Sequence, residues 1–180
     1  SQKGAKGEAL AKIICEHVAE SSKNIDLSTP NNTISALESL HKKIRYEFIS
    51  ETACYAIACI DNNGDGWAIS CGDCRIGLIN NSSKEWLNPV HTLANAVNKV
   101  FTHNEATSPE RHKVTRCWKS NRFIKPETIV LNIGSSNICL ATDGHWIEHE
   151  MLKIPIHEIS DDSSLLTIDR GKSYKNINGS

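Results

Sequence analysis

The stretch that most constrains this chain is Leu140-Ala141-Thr142-Asp143-Gly144-His145-Trp146. The apolar run Ile138 to Ala141 has the length and composition of a buried strand. It stops at an acid followed by a glycine, which sends one carboxylate out of a sheet and leaves the backbone free to turn sharply behind it. Two more acids stand beside apolar runs. Asp161-Asp162 precedes Leu165 to Ile168, and Asp73 lies in Cys71-Gly72-Asp73-Cys74-Arg75, just ahead of Ile76 to Ile79. Three acids, each beside a sheet segment, can converge on hard cations, which oxygen ligands suit. Read from the residues alone, Asp-Gly and Asp-Asp are also ordinary turn chemistry, and that simpler account stays open at this point.

The rest of the chain supplies the frame. From Gly7 to Ser22, Leu10, Ile13, Ile14, His17 and Val18 recur at helical spacing. Asn32 or Thr33 is placed to cap a second helix whose apolar face is Ile34, Leu37, Leu40, Ile44 and Phe48. Thr52 to Ile60 then reads as a strand. Asp61-Asn62-Asn63-Gly64-Asp65-Gly66 is a strong turn signal. Its acids alternate as in a calcium loop, but the twelfth position is Gly72, so a hairpin is expected instead. Trp67 to Ser70 and Ile76 to Ile79 read as the returning strand, interrupted at Gly72-Asp73. Val90, Leu93, Ala94, Val97, Val100 and Phe101 suggest a third helix between Pro89 and Asn104. Glu105 to Lys125 is a polar, basic loop. Thr128 to Ile133 and Asn137 to Ala141 read as strands around Gly134-Ser135-Ser136, and Trp146 to Leu152 as a short helix. Helices first and strands after them argue an α+β fold, with one domain over residues 1–170 and a flexible tail over 171–180.

Bulk properties exclude several classes. At 180 residues, with 39% hydrophobic and 23% charged residues, the chain can bury a core. A formal net charge of -1 gives no basis for nucleic acid or an anionic membrane as partner. No apolar run reaches spanning length. Seven cysteines is an odd number, and most lie in apolar runs, which fits a reducing, cytoplasmic setting. Cys71 and Cys74 form a single CxxC without the second pair a zinc site needs.

Four segments, in order, resemble motifs of the metal-dependent protein phosphatase family, type 2C, in its bacterial branch. Gly72-Asp73-Cys74-Arg75 resembles the family's Gly-Asp-Ser-Arg. Arg111-His112-Lys113-Val114-Thr115-Arg116-Cys117-Trp118 resembles Arg-x-x-x-Thr-Arg-Ala-Leu-Gly. Thr142-Asp143-Gly144 resembles Ser-Asp-Gly, and Asp161-Asp162-Ser163-Ser164 resembles Asp-Asn-x-Thr. The resemblance spans Ser1 to Ile168. It implies a β-sandwich of two antiparallel sheets flanked by helices, in four αββα layers. It also implies a serine/threonine phosphatase in which metal-activated water hydrolyses phosphate monoesters. Two ions, Mg2+ or Mn2+, are then expected, with Asp143 and Asp161 as the catalytic metal ligands. Gly144 also belongs to the metal-binding set, and Asp73 is the acid associated with a third, weaker ion. The implied partners are a phosphorylated protein substrate and a cognate kinase.

Departures from the pattern shape the expectations. Ile147 stands where family members often carry a second acid, and Glu148 falls one residue late. Trp118 replaces part of the family's Leu-Gly, which alters the substrate-side flap. Ser1 resembles the last residue of the family's Asp-Gly-Ala-Gly-Ser, which places the first metal-binding Asp-Gly and the first strands upstream. The expected alternatives are a non-catalytic pseudophosphatase acting as a binding module and a fragment completed by a separate N-terminal piece. Poor solubility without that piece is expected. His91 is expected as a hydrogen-bonding surface histidine in a loop, and Trp146 as a ring packed under the Asp143 turn.

Overall fold

The computed structural model describes residues 5–81, 83–97, 100–159, 161–169 and 175–178; the expected Ser1 motif lies outside them. Two helices open the chain, α1 (Ala5–Ser21) and α2 (Pro30–Ile44), the second starting on a proline whose fixed φ suits a first turn. Their apolar stripes meet the next elements. Leu10 and Ile14 of α1 and Ile34, Leu37, Leu40 and Ile44 of α2 are buried with Trp67, Ile69 and Cys71. These last three lie at alternate positions of β3 (Asp65–Cys71), so one face of that strand looks at the helices.

The intervening Ala68 looks the other way, into a second core. There β2 (Tyr55–Ile60), β3 and β7 (Glu127–Asn132) form a three-stranded antiparallel sheet, in the order β2-β3-β7. Facing it is a five-stranded antiparallel sheet, β10-β9-β8-β4-β5, built from β4 (Arg75–Asn80), β5 (Ser83–Trp86), β8 (Asn137–Ala141), β9 (Ser164–Ile168) and β10 (Lys175–Asn178). Ile76 and Ile138 of this sheet share one core with Ala68 and Leu131 of the other. A short pair, β1 (Thr52–Ala53) with β6 (Trp118–Lys119), stands apart. The outer face of the five-stranded sheet is covered by α3 (His103–Thr107) and α4 (Gly144–Met151), through Ala106, Ala141, Trp146 and Ile147. The layers are helix, sheet, sheet, helix, as expected. Residues 171–180, expected as a tail, include β10, which pairs with β9.

Several local expectations change, and one is the start of α2, whose N-cap is Thr29 rather than Asn32 or Thr33. Ile76–Ile79 does not continue the returning strand of the β2–β3 hairpin. The chain leaves the three-stranded sheet at Cys71 and enters the other at Arg75, so Gly72-Asp73 is a crossing between sheets. Gly134-Ser135-Ser136 is a second crossing, from β7 to β8. Among the described residues of Pro89–Asn104 the expected helix is absent until α3 begins at His103. Asn95 captures the segment instead. Its Oδ1 accepts from Thr92 N at 3.2 Å and Thr92 Oγ1 at 2.7 Å, and its Nδ2 donates to Val90 O at 2.7 Å. The backbone is bonded sideways to residues 113–115, Leu93 N to Lys113 O at 2.8 Å and Thr115 N to His91 O at 2.7 Å. Local side-chain bonds of this kind compete with helix formation. The apolar periodicity was not a buried face: Val97 is 100% exposed.

The Asp61 turn is a hairpin. Asp61 Oδ1 accepts from Asn63 N at 2.8 Å and Asp65 N at 2.9 Å, so its carboxylate is committed to the turn.

Candidate functional site

The register of three adjacent strands decides where the acids go. β4 and β9 each run antiparallel to β8, and Arg75 pairs with Ala141, which pairs with Leu165. The starts of β4 and β9 therefore lie at the end of β8. Asp73 enters β4, Asp143 leaves β8, and Asp161 leads toward β9. All three stand at one edge of the five-stranded sheet.

Each approach is fixed by neighbours. Gly72, ahead of Asp73, has φ 112°, and an added Cβ would lie 2.3 Å from Cys54 Sγ. Only glycine supplies both the left-handed backbone and the clearance. His91 N donates to Gly72 O at 3.1 Å, and Trp146 Nε1 donates to Asp73 O at 2.8 Å. Trp146 is 3% exposed and packs edge-on to Phe101, so the ring under the Asp143 turn also holds the Asp73 backbone. Asn88 pins the start of β4: its Oδ1 accepts from Ile76 N at 2.6 Å and its Nδ2 donates to Cys74 O at 2.8 Å. On the other side, Thr142 N donates to Ser164 O at 3.1 Å. Thr142 Oγ1 accepts from Ser164 N at 2.9 Å and donates to Asp162 O at 3.0 Å. These bonds tie the Asp143 and Asp161 loops together. Gly144, expected in the metal-binding set, shows a spatial role. A Cβ there would lie 2.6 Å from Asp162 O, so glycine lets the second loop close over the first.

The electrostatics follow from this crowding. Burial, then the charges of Asp73 and Asp161, push the Asp143 carboxyl up to about 8. Burial also raises Asp73, with Asp161 adding to the effect, while a bond from the Cys54 thiol opposes it. Cys54 and Cys74 are held protonated, chiefly by burial and then by Asp73, so neither thiol is activated as a nucleophile. Among the described residues, no group of three or more His, Cys, Asp and Glu side chains is drawn tightly enough to enclose an ion as it stands. What the three aspartates share is an edge of the sheet and a mutual repulsion.

The structure also gives definite places to residues that the sequence left as loop. The His91 side chain is 11% exposed, its Nδ1 is buried without a partner, and its Nε2 lies 3.6 Å from Glu127 Oε1. Burial, then Arg116, lowers its pKa and keeps the ring neutral. Arg116 Nη1 donates to Glu127 Oε1 at 2.7 Å, and Arg111 Nη2 to Glu148 Oε1 at 2.8 Å. The basic segment is thereby fastened to β7 and α4. Glu148, which falls one residue late in the motif, is 2% exposed and faces Arg111. No pattern local to His91 in the sequence signals its burial, because the contacts come from residues 72, 115 and 127.

No protein-family profile and no curated protein matches the sequence. Solved structures do. The PPM Ser-Thr phosphatase MsPP from Mycobacterium smegmatis, in complex with cacodylate, superposes with a TM-score of 0.73 at 16% identity, over 93% of this chain and 84% of that one. The catalytic domain of the serine threonine protein phosphatase PstP, in complex with 2 manganese ions, gives a TM-score of 0.67 at 14% identity, over 93% of this chain and 83% of that one. Serine/threonine phosphatase Stp1 from Staphylococcus aureus gives 0.62 at 15% identity, over 76% of this chain and 59% of that one. At such identities the likeness establishes the fold, which is that of the PPM, or type 2C, serine/threonine phosphatases.

Proposed function

We propose that the acid edge is the active site of a metal-dependent serine/threonine phosphatase that hydrolyses phosphate monoesters on proteins. The observation that carries this reading is the convergence of Asp73, Asp143 and Asp161 at one end of three neighbouring strands, where burial and repulsion hold the Asp143 carboxyl near 8. Buried acids that repel one another suit divalent cations, and an all-carboxylate set suits Mg2+ or Mn2+. Asp143 and Asp161 would hold two ions and Asp73 a third, weaker one. Divalent ions, when bound, supply Lewis-acid activation of water and neutralise phosphoryl charge.

The chain's own residues do the positioning. Asp143 presents its carboxylate after losing the proton that burial favours. Trp146 keeps the Asp73 backbone in place through its N–H, and Thr142 keeps the Asp161 loop against the Asp143 turn. The neutral His91 sits behind Gly72 and adds no positive charge against the cations.

The test is hydrolysis of an aryl phosphate with Mn2+. Asp143→Asn and Asp161→Asn are each expected to lower kcat by about 100-fold or more, the scale of losing a group that stabilises transition-state charge. Near-full turnover in either variant overturns the assignment. Mn2+ binding without turnover in the parent chain would assign it instead as a binding module that keeps the fold.

A further inference from the structure

A cavity of about 390 Å³ lies on the covered face of the five-stranded sheet, and none of the three aspartates lines it. Its walls include Arg75, Trp86, Phe101, Trp146, Met151 and Glu150. Its volume falls in the range of small-molecule sites. Flat aromatic walls with one cation among them select both shape and charge.

Arg75 is the unusual member. Its guanidinium carbon lies 5.2 Å from the Trp86 ring and 5.1 Å from the Trp146 ring. The two indoles are themselves only 6.3 Å apart. Rings directly opposite one another across the guanidinium would be separated by the sum of the first two distances, so the indoles do not sandwich it. Arg75 and both indoles line the same cavity. Among the described residues Arg75 has no ion pair, and its Nε is buried without a hydrogen-bond partner. Burial draws its basicity down to about 10, which leaves it charged at neutral pH. A half-buried cation without an anion carries a desolvation cost that cation–π contacts offset only in part.

The second charged wall is already matched. Glu150 pairs with Lys84, and its Oε1 accepts from His145 Nε2 at 3.1 Å. The cavity therefore offers one unmatched positive charge, with planar donors, among aromatic and thioether surfaces. We propose that this cavity binds a small carboxylate with a flat apolar body, the carboxylate received by Arg75 and the body stacked among Trp86, Trp146 and Phe101. A guanidinium fork matches a carboxylate in two parallel bonds. One negative charge balances one positive charge, whereas a phosphate dianion would leave a buried charge unmatched beside Glu150. This inference does not depend on the reading of the acid edge.

The probe is trans-cinnamate, compared with trans-cinnamamide, which has the same shape and no charge. Titration calorimetry on the full chain, with indole N–H signals followed by NMR, reads both affinity and place. Cinnamate is expected to bind about tenfold or more tightly than the amide, the scale of a charge-assisted bond, and to shift the Trp86 and Trp146 indoles. Arg75→Met, which keeps the length of the side chain, is expected to bring the two affinities together, and Trp86→Phe to weaken both. Equal affinity for acid and amide, no binding of either at millimolar concentration, or shifts confined to Trp67 and Trp118 would each overturn the proposal. If Arg75→Met does not fold, the comparison of acid with amide on the unaltered chain decides alone.

Discussion

At the scale of single residues, Asp143 is where charge and stability oppose each other. Its carboxyl is raised to about 8 in the fold, against about 3.9 for an ordinary aspartate. Between those values the native chain binds a proton that the unfolded chain does not. Its contribution to stability is therefore full in acid and is lost as pH rises from about 4 to about 8. In metal-free buffer the melting temperature should fall across that window, and Asp143→Asn, which cannot ionise, should flatten the fall. Melting curves at pH 5, 6.5 and 8 with a chelator check this. A cation that relieves the repulsion should raise the melting point more at pH 8 than at pH 5. Arg111 poses the converse case. Its partner Glu148 is 2% exposed, so Arg111→Met leaves a buried carboxylate without that guanidinium. A loss of about 3–5 kcal/mol is expected by urea denaturation.

At the scale of elements, the two crossings between sheets matter more than any strand. Gly72 is the tighter. Gly72→Ala meets a left-handed φ of 112° and a Cys54 Sγ 2.3 Å from the new Cβ. A loss of at least about 2 kcal/mol is expected, with reduced Mn2+ affinity because Asp73 follows directly; denaturation and metal titration measure the two effects. The strand segments β2, β3, β4, β7, β8 and β9 were legible from apolar runs and turn residues, as was α2 from its stripe; β5, β6 and β10 were not. The sheet that each strand joins was not. β3 and β4 are separated by a few residues and look like one interrupted strand, because local sequence records alternation but not which neighbour supplies the ladder. The segment from Pro89 to Asn104 misled for a related reason. Its apolar spacing was helical, yet Asn95 and residues 113–115 offered its backbone better partners.

At the scale of the whole molecule, the three-stranded sheet has two open edges among the described residues. Among the described residues β2 and β7 each pair on one side only, and Val130 on β7 is 86% exposed. Such edges template association. Self-association at high concentration is expected, and Val130→Lys should reduce it, as read by light scattering or size-exclusion chromatography. A chain that stays monomeric at millimolar concentration with Val130 in place would count against the edge as the cause.

The sequence by itself determined the kinds of pieces, because periodicity and turn chemistry act over a few residues. It also placed acids at strand ends and ordered four motifs along the chain. The tertiary structure alone decided that Asp73, Asp143 and Asp161 share one edge, that His91 is buried behind Gly72, and that Arg75 lies free beside two indoles. Each of those facts depends on strand register and on contacts between residues far apart in the chain, and no local pattern encodes the energy of burying two charges in the same place.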